Sequence, residues 1–453
     1  MQFSEAHRWN PGSFTNPEWG WRDEVIRPFR DVLVPTSVPC RASEHADGHP
    51  PLVTIRFDGS IERRDADPTS IKDRLFLARA SDLVYSKIDV RNGAIGVVPP
   101  ELPLIAVTSE YPVHRVRGER ADVAYVRLVV RSSAMRREIQ SRISGASGRK
   151  RIMPADLLDI HAPFPTLATQ RVIVEHAHRS VAALSEKQEA AARVIDEASV
   201  AFLHALGLKA PEETPRRQIM IRKWSNTDRW GVDYNQRVDS GGASVDGAYP
   251  TVRLGDVIAD LENGWSPQCL KRPAEVGEWG VLKLGAVSFG QYNDNENKAL
   301  PKHLSPIPRY EVRPGDVLIS RANIPRLVGA CALVVETQER LILCDKIFRV
   351  VPKEKPEILG AFIAEVLKIP QVRFQIESAC TGTSPTMQNI TKPALLDLRF
   401  PLPTLDVQER LVGMITDART RADAMRADAQ QRHDQAMQEV DAMILGTMPV
   451  PKV

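Results

Sequence analysis

Hydrophobic side chains recur every three or four residues in two long stretches of the sequence, and this spacing predicts two long helices. In the first stretch Gln188 is a polar interruption, and Gly207 followed by Pro211 gives the expected stop. In the second, Arg432 is a polar break and Val440 lies one place out of register, which predicts that the far end splays. The seam positions are Ala177, Val181, Leu184, Ala191, Ile195, Ala198, Phe202 and Ala205, and then Leu411, Ile415, Ala418, Ala422, Met425, Ala429, Ala436 and Met443.

These two stripes favour pairing of the helices with each other. Each stripe is too apolar to face water alone, and its alanines allow two backbones to approach closely. We therefore expect the helices, from Leu167 to Leu206 and from Leu405 to Leu445, to form an antiparallel coiled coil. At 1.5 Å per residue, about 40 residues would make a rigid spacer about 60 Å long. The alternative, in which each helix packs on its own globular part, stays open.

Outside the helices, short β-rich runs are separated by turns. Arg91-Asn92-Gly93 predicts a hairpin turn. The fold class is therefore α+β, with two mixed α/β domains in tandem, each followed by a long helix. The predicted strands are residues 52–55, 82–88 and 94–98 in the first half, and 281–284, 316–320, 331–335 and 347–351 in the second.

The chain repeats itself. Leu157-Leu158-Asp159, with Pro165-Thr166-Leu167 and Gln170, returns 238 positions later as Leu395-Leu396-Asp397, with Pro403-Thr404-Leu405 and Gln408. Earlier echoes follow the same order at smaller offsets, as expected when loops differ in length. They pair Arg8-Trp9 with Arg229-Trp230, residues 25–32 with 251–258, and residues 82–87 with 316–321.

This tandem duplication of about 220 residues sets the expected domain organisation. At roughly 150 residues per domain, 453 residues suggest about three folded bodies, and 43% hydrophobic residues can supply a core for each unit. We predict a first globular domain over 1–166, a central helix over 167–208, a linker and second globular domain over 209–404, and a C-terminal helix over 405–446.

Known catalytic motifs are missing from the sequence. It has no GxxxxGK[ST], GxGxxG after a strand, HExxH or GxSxG, and five cysteines form no CxxC pair. The cluster of Cys40, His45 and His49 is expected to be accidental, so we predict neither catalytic residues nor a metal site. An enzyme with an unfamiliar site stays open. Without an apolar run of 18 residues or a signal peptide, the protein is expected to be cytoplasmic, with no membrane partner.

Basic residues beside predicted turns are the candidate chemistry. The net charge of +3 does not by itself indicate nucleic-acid binding. However, the basic pair Lys87 and Arg91 in the first copy has a counterpart in Arg321 and Arg326 in the second. Such loops could bind DNA phosphates while neighbouring polar side chains contact the bases. For any one basic cluster, however, an ordinary charged surface in contact with solvent is the simpler interpretation. The candidate DNA-binding residues are Lys87, Arg91, Lys150, Lys271, Arg272, Arg321, Gln388 and Asn389.

Two β-rich units, each followed by Pro-Thr-Leu-x-x-Gln at the start of a long helix, resemble the specificity subunit of type I restriction-modification enzymes. The resemblance covers nearly the whole chain. Three departures lie in the first unit: Ser81 replaces the glycine at Gly315, residues 144–152 only loosely follow residues 382–390, and Arg171 stands where Glu409 stands in the second copy. The resemblance is clearest in Gly315-Asp-Val-Leu-Ile-Ser320, Gly382-Thr-Ser-Pro-Thr-Met-Gln-Asn-Ile390, Phe400-Pro-Leu-Pro403 and Gln408-Glu-Arg-Leu-Val412.

The resemblance implies a non-catalytic subunit with two target recognition domains, each reading one half of a bipartite site in double-stranded DNA. Modification subunits, expected as two, would dock on the helices and use S-adenosylmethionine, and restriction subunits would use ATP and Mg. This chain would bind no cofactor. Gln170, Gln408 and Leu411 are the candidate partner-binding residues of the helices. A non-catalytic coiled-coil scaffold with two protein-binding domains is the competing function.

Overall fold

The structure is a computed structural model of the whole chain. It describes residues 19–40, 50–64, 74–143, 151–210, 219, 221, 223, 235, 244–324, 326–384 and 387–451. Lys150, His45, His49 and the two Arg-Trp echoes lie outside the described residues.

The chain forms two compact units, and each takes part of both long helices. Unit 1 comprises residues 1–188 and 425–453, and unit 2 comprises residues 189–424. The long helices are Leu167–Ala205, here the central helix, and Leu405–Leu445, here the C-terminal helix. Both begin at the residues predicted from the sequence, Leu167 and Leu405.

Unit 1 is built from short strands followed by short helices. Its strands are Ile26–Pro28, Leu33–Thr36, Val38–Pro39, Val53–Ile55, Ile61–Arg63, Leu75–Arg79, Asp82–Tyr85, Ile95–Val97, Leu104–Thr108, Val113–Val116 and His161–Pro163. Its short helices are α1 (Val123–Arg131), α2 (Ser133–Arg142) and α3 (Pro154–Leu158), with 3-10 turns at Asp23–Val25, Phe29–Asp31 and Asp89–Asn92.

Unit 2 follows the same order, with more strands among the described residues. These are Thr251–Arg253, Asp260–Asn263, Gly280–Leu282, Val287–Ser288, Gln291–Tyr292, Asn297–Ala299, Val317–Ser320, Ala322–Asn323, Cys331–Leu333, Leu341–Ile342, Ile347–Val351, Thr381–Ser384, Met387–Asn389 and Arg399–Pro401. The helices are α4 (Leu254–Val257), α5 (Gly360–Val366), α6 (Pro370–Ala379) and α7 (Lys392–Leu396), with 3-10 turns at Leu284–Ala286 and Pro308–Tyr310.

The duplication predicted from the sequence is present in the topology. Each unit has a four-stranded antiparallel sheet, with strand order 33–36, 113–116, 82–85, 95–97 in unit 1 and 260–263, 347–351, 317–320, 331–333 in unit 2. Each also has a two-stranded ribbon that leads towards its long helix. The α+β fold class is confirmed.

The long helices pair antiparallel, as predicted. In unit 1, His176 Nε2 lies 3.0 Å from Glu439 Oε2 and Ser180 Oγ lies 2.9 Å from His433 Nδ1, so the partner number falls as the residue number rises. In unit 2, Phe202 of the central helix shares one hydrophobic core with residues 411, 415 and 418 of the C-terminal helix.

The seam differs from its prediction at three places. The predicted splay of the far end is wrong, because Val440 and Met443 are buried in the core of unit 1. Ala205 is exposed and its neighbour Leu206 is buried instead. Val181, a predicted seam residue, is 54% exposed. The register therefore shifts at both ends of the pair, where each helix meets a globular core as well as its partner.

All seven predicted strands are present, and the Arg91-Asn92-Gly93 turn is confirmed. Gly93 has φ of 102° and ends a 3-10 turn between the antiparallel strands Asp82–Tyr85 and Ile95–Val97. The sequence pattern missed the short helices α1, α2, α5 and α6, which pack against the cores of their units.

Candidate nucleic-acid interface and helix framework

The repeated glutamine fixes the start of each long helix. Gln170 is fully buried; its Nε2 donates to Pro165 O at 2.7 Å and to Arg120 O at 3.3 Å, and its Oε1 accepts from Asp122 N at 2.8 Å. These bonds join the helix to the N-terminus of α1, because Asp122 is the N-cap residue of α1.

Gln408 makes the same three bonds in unit 2. Its Nε2 donates to Pro403 O and Glu357 O, and its Oε1 accepts from Leu359 N, each at 2.9 Å. Neither glutamine is accessible to a docked subunit, and Leu411 is also buried, in the core of unit 2. The three residues predicted to bind a partner are therefore buried: the two glutamines fix the helix starts, and Leu411 packs in the core of unit 2.

A second pair of equivalent turns begins the strand that carries the basic candidates. Asp82 Oδ2 accepts from Arg79 N at 2.8 Å, and Asp316 Oδ2 accepts from Arg313 N at 3.0 Å. The residue before each aspartate has a positive φ, 73° at Ser81 and 95° at Gly315. Ser81, which stands where the second copy has Gly315, therefore keeps the left-handed backbone that glycine adopts more easily.

The first basic candidates occupy equivalent junctions. Ile152 N donates to Lys87 O at 3.0 Å in unit 1, and Ile390 N donates to Arg321 O at 2.9 Å in unit 2. In each unit, therefore, a later segment of the chain returns to the end of the strand that precedes Lys87 or Arg321. Burial of the side chain accounts for the isoleucine that both sequences have there, since Ile152 and Ile390 are fully buried.

In unit 2 the structure brings three of the candidates together. Asn389 pairs with Ala322, directly after Arg321, and Gln388 pairs with Asn323 on the same short antiparallel ladder. Arg321 Nη1 donates to Asp345 O at 3.3 Å and its guanidinium lies 5.8 Å from the Phe348 ring centroid. Asn389 is exposed, while Arg321 and Gln388 are half-buried.

In unit 1 the candidates Lys87 and Arg91 lie on one turn. Lys87 Nζ donates to Ser109 O at 2.6 Å and is half-buried, so it must leave that carbonyl to reach a phosphate. Arg91 lies in the last turn of the 3-10 segment Asp89–Asn92. Both side chains are less exposed than the sequence interpretation assumed.

Lys271 and Arg272 lie on a different loop, beside the strand Asn297–Ala299. Lys271 is exposed. Arg272 binds Glu278 through two hydrogen bonds, at 2.6 and 2.9 Å, and this pair lowers the pKa of Glu278 to about 2. Arg272 is thus already paired within the loop, which makes it the weaker candidate of the two.

One position at these equivalent junctions is acidic in unit 1 and basic in unit 2, a difference that the sequence analysis missed. Lys87 N donates to Glu110 O, and Arg321 N donates to Lys346 O. Glu110 pairs with Arg151 at 3.3 Å, whereas Lys346 is exposed and adds a second cation beside Arg321. Extending the repeat at an offset of 236 would have found this pair.

Among the described residues, no group of His, Cys, Asp and Glu could hold a metal ion. Within the same part of the chain, no helix is both long and apolar enough to cross a membrane.

Comparison with known proteins shows that this chain is similar to type I restriction enzyme specificity subunits, which confirms the resemblance inferred from its motifs. It is 31% identical over 192 residues to the EcoEI specificity subunit of Escherichia coli, a match over 42% of this chain and 32% of the relative. It is 23% identical over 302 residues to the EcoKI specificity subunit of Escherichia coli strain K12, over 65% of this chain and 58% of the relative. The matched regions thus cover about a third of the EcoEI subunit and less than two thirds of the EcoKI subunit. No protein-family model matches.

Solved structures with a similar chain come from the same class of system. A chain from a study of complex assembly and conformational transition of the type I R-M system has a TM-score of 0.49 at 16% identity, covering 92% of this chain and 96% of that one. The HsdS subunit from Thermoanaerobacter tengcongensis has a TM-score of 0.41 at 17% identity, covering 95% and 97%.

Proposed function

We propose that this protein is the DNA-specificity subunit of a type I restriction-modification complex and has no catalytic role of its own. Each unit reads one half of a bipartite site in double-stranded DNA, and the paired helices set the gap between the halves. The observation that supports this most is the repeated framework with divergent loop side chains. Lys87 and Arg321 make equivalent backbone hydrogen bonds, but the residue that accepts from them is Glu110 in unit 1 and Lys346 in unit 2.

The partners follow from the same proposal. Two modification subunits dock on the helices and methylate the site with S-adenosylmethionine, and restriction subunits use ATP and Mg. The chain acts on DNA in the cytoplasm. The division into target recognition domains 1–166 and 209–404, with helices 167–208 and 405–446, belongs to this proposal too.

Mapping DNA methylation in cells with and without the protein tests the function directly. We expect loss of one bipartite motif when the protein is removed. Replacing residues 215–400 by the equivalent domain of a relative should change one half of that motif, because each unit reads its own half. Change in both halves, or in neither, would contradict modular reading.

Salt-dependent binding to a duplex separates DNA recognition from the protein-scaffold alternative. Replacing Arg321 by Ala should weaken binding to all sequences and lower the salt slope by about one unit, since each phosphate contact releases counterions. Arg272→Ala is the matched control, because Glu278 already neutralises Arg272. Equal slopes for wild type and Arg321→Ala would remove Arg321 from the DNA surface.

A further inference from the structure

Each unit has a turn that joins two strands of its four-stranded sheet and carries one of the repeated basic pairs. This central turn comprises residues 86–94 in unit 1, and residues 320–324 and 326–330 in unit 2. A hydrogen bond from the N–H of the first serine to the carbonyl of the last alanine closes both turns, at 2.9 Å in unit 1 and 2.8 Å in unit 2. The glycine before that alanine has a positive φ in both, 102° at Gly93 and 69° at Gly329. The two central turns are therefore equivalent parts of the repeated framework.

In unit 1 an arginine from α1 holds the central turn. Arg131, the last residue of α1, donates from Nη1 to Gly93 O and from Nη2 to Phe57 O, both at 3.3 Å. Phe57 lies in the loop between the strands Val53–Ile55 and Ile61–Arg63. This loop touches the central turn through its backbone, because a Cβ on Gly93 would lie 2.1 Å from Phe57 O. One guanidinium therefore joins the central turn both to a helix and to a neighbouring hairpin.

In unit 2 an arginine from α6 makes the corresponding contact. Arg373 is 8% exposed, and it donates from Nη1 to Val328 O at 2.7 Å and from Nη2 to Arg326 O at 3.3 Å. Its guanidinium also lies 4.8 Å from the ring centroid of Phe289, in the turn of a short hairpin. Glu377, one helical turn further along α6, lies 3.8 Å from the same guanidinium. Arg373 thus holds the backbone of Arg326, whose exposed side chain is a cation of the central turn.

The two arginines come from different positions of the repeat. The N-cap residues of α1 and α5, and those of α2 and α6, are both 237 positions apart, which aligns the short helices of the two units. At this offset Arg131 corresponds to Lys368, whose Nζ lies 2.9 Å from Glu365 Oε1. Arg373 corresponds to Arg136, which is exposed on α2. Each unit therefore holds its central turn from a different helix position, so the contact does not simply follow from the shared alignment.

A turn that contacts DNA benefits from being held in place before binding, because each group that is ordered only on binding lowers the affinity. Specificity depends on the same rigidity, since a recognition contact needs side chains held to within about 0.5 Å of the productive geometry. Arginine suits this role because its planar, permanently charged guanidinium can donate to two carbonyls at once.

We infer that Arg131 and Arg373 are positioning residues for DNA recognition, each for the half-site read by its own unit. Each holds the central turn so that a cation of that turn, Arg91 in unit 1 and Arg326 in unit 2, faces the phosphates while its neighbours read bases. The two arginines act through the turn and do not contact the DNA themselves. The inference rests on the proposed function and adds the residues on which selective reading by each unit depends.

Methionine variants test this in the complex of the full chain with its modification subunits. Arg131→Met and Arg373→Met keep an apolar stem and remove the donors. Fluorescence anisotropy measures binding to a duplex that carries the motif methylated with the wild-type protein, and to duplexes with one base pair changed in either half. We expect each variant to lower the discrimination against a wrong base pair by about fivefold to tenfold, as for loss of one direct base contact. The loss should lie in one half only, and in a different half for each variant.

The controls are Arg127→Met, on the same helix as Arg131, and Arg136→Met, at the helix position that corresponds to Arg373. Both side chains are exposed, so both controls should discriminate as the wild type does in both halves. Arg131→Lys and Arg373→Lys keep the charge and one donor, and they should recover part of the lost discrimination. If a methionine variant did not fold, the lysine variant would decide, since it should still discriminate less than the wild type in the same half.

A double-mutant cycle separates positioning from a direct phosphate contact. Arg326→Ala removes the cation but leaves the carbonyl to which Arg373 donates. If Arg373 acts through that cation, Arg373→Met should weaken binding to the matched duplex much less in the Arg326→Ala background than in the wild type. Additive losses, with each change lowering the salt slope by about one unit, would place Arg373 on the phosphates and overturn the inference.

Two other outcomes would overturn the inference and leave the proposed function standing. One is a loss of discrimination in both halves from a single variant, and the other is unchanged discrimination in both halves. If the wild-type complex itself showed no preference for a bipartite motif, the proposed function would fail, and the inference would fail with it.

Discussion

A buried histidine makes the stability of unit 1 depend on pH. His114, in the strand Val113–Val116, is 1% exposed and stacks on Tyr85 with ring centroids 5.8 Å apart. Among the described residues neither of its ring nitrogens has a hydrogen-bond partner. Burial lowers the pKa of His114 from 6.5 to about 4. The imidazole is therefore neutral in the folded protein at pH values where it is charged in the unfolded chain.

The sign and size of the effect follow from that difference. Between pH 6.5 and 4 the unfolded chain binds a proton that the folded unit does not, so stability is fully present above 6.5 and is lost as the pH falls towards 4. At 1.36 kcal/mol per pH unit, the whole loss is about 3 kcal/mol, and about 2 kcal/mol of it has occurred at pH 5.

Replacing His114 by Val should remove this loss. Val84 of unit 1 corresponds to Leu318 of unit 2, because residues 82–87 correspond to 316–321. Val84 pairs with Val113, and Leu318 pairs with Arg349, so the next residues along, His114 and Val350, are also equivalent. A buried valine therefore already fits this site in the same fold.

Urea denaturation at pH 7 and pH 5 measures the result. The advantage of His114→Val over wild type should be about 2 kcal/mol larger at pH 5 than at pH 7, because other titrating groups are shared and cancel in the comparison. His178→Val changes an exposed histidine and serves as the control for losing any imidazole. An equal pH dependence in His114→Val and wild type would refute the reasoning.

Three further outcomes test the framework. Gln170→Met or Gln408→Met should cost its own unit about 3 kcal/mol, since each removes three hydrogen bonds of about 1 kcal/mol; hydrogen exchange that accelerates in the other unit would contradict this. Ser81→Gly should stabilise by about 1 kcal/mol in urea titration by relieving a left-handed backbone, and a loss of stability would count against strain at φ 73°. Inserting one heptad in register in both Leu167–Ala205 and Leu405–Leu445 should widen the preferred gap in the DNA by about three base pairs, from about 10 Å of added helix; an unchanged gap in a folded variant would mean that the helices do not set it.

The long helices and the strands could be predicted from the sequence because their signals are local. An apolar period of three to four residues and a repeated Pro-Thr-Leu-x-x-Gln marked the helix starts at Leu167 and Leu405. Helix α1 was missed because its run of valines around Tyr125 and Leu128 favours a strand by intrinsic propensity. Its N-cap Asp122 and its packing against the core outweigh that propensity, and packing is not visible in a short sequence window.

The candidate site was harder to predict, because repetition shows that a residue is needed but not where its side chain lies. Gln170 and Gln408 stood out in the repeat, yet both are buried and bind backbone atoms. Lys346 was missed for the opposite reason, since it aligns with an acidic residue, Glu110. Exposure and charge at that junction depend on which loop folds back onto the strand, and the loops share little sequence.

The positions that repeat and those that diverge follow one physical rule. Where a side chain makes the framework bond, both copies keep the same residue, as at Asp82 and Asp316. Where backbone atoms make the bond, side chains are free to change, as when Lys346 replaces Glu110 behind equivalent hydrogen bonds. A duplicated unit built in this way can keep its geometry while the exposed chemistry of each copy changes independently. That freedom is what two units need if they are to recognise different half-sites, and it supports assigning base discrimination to the loops rather than to the shared framework.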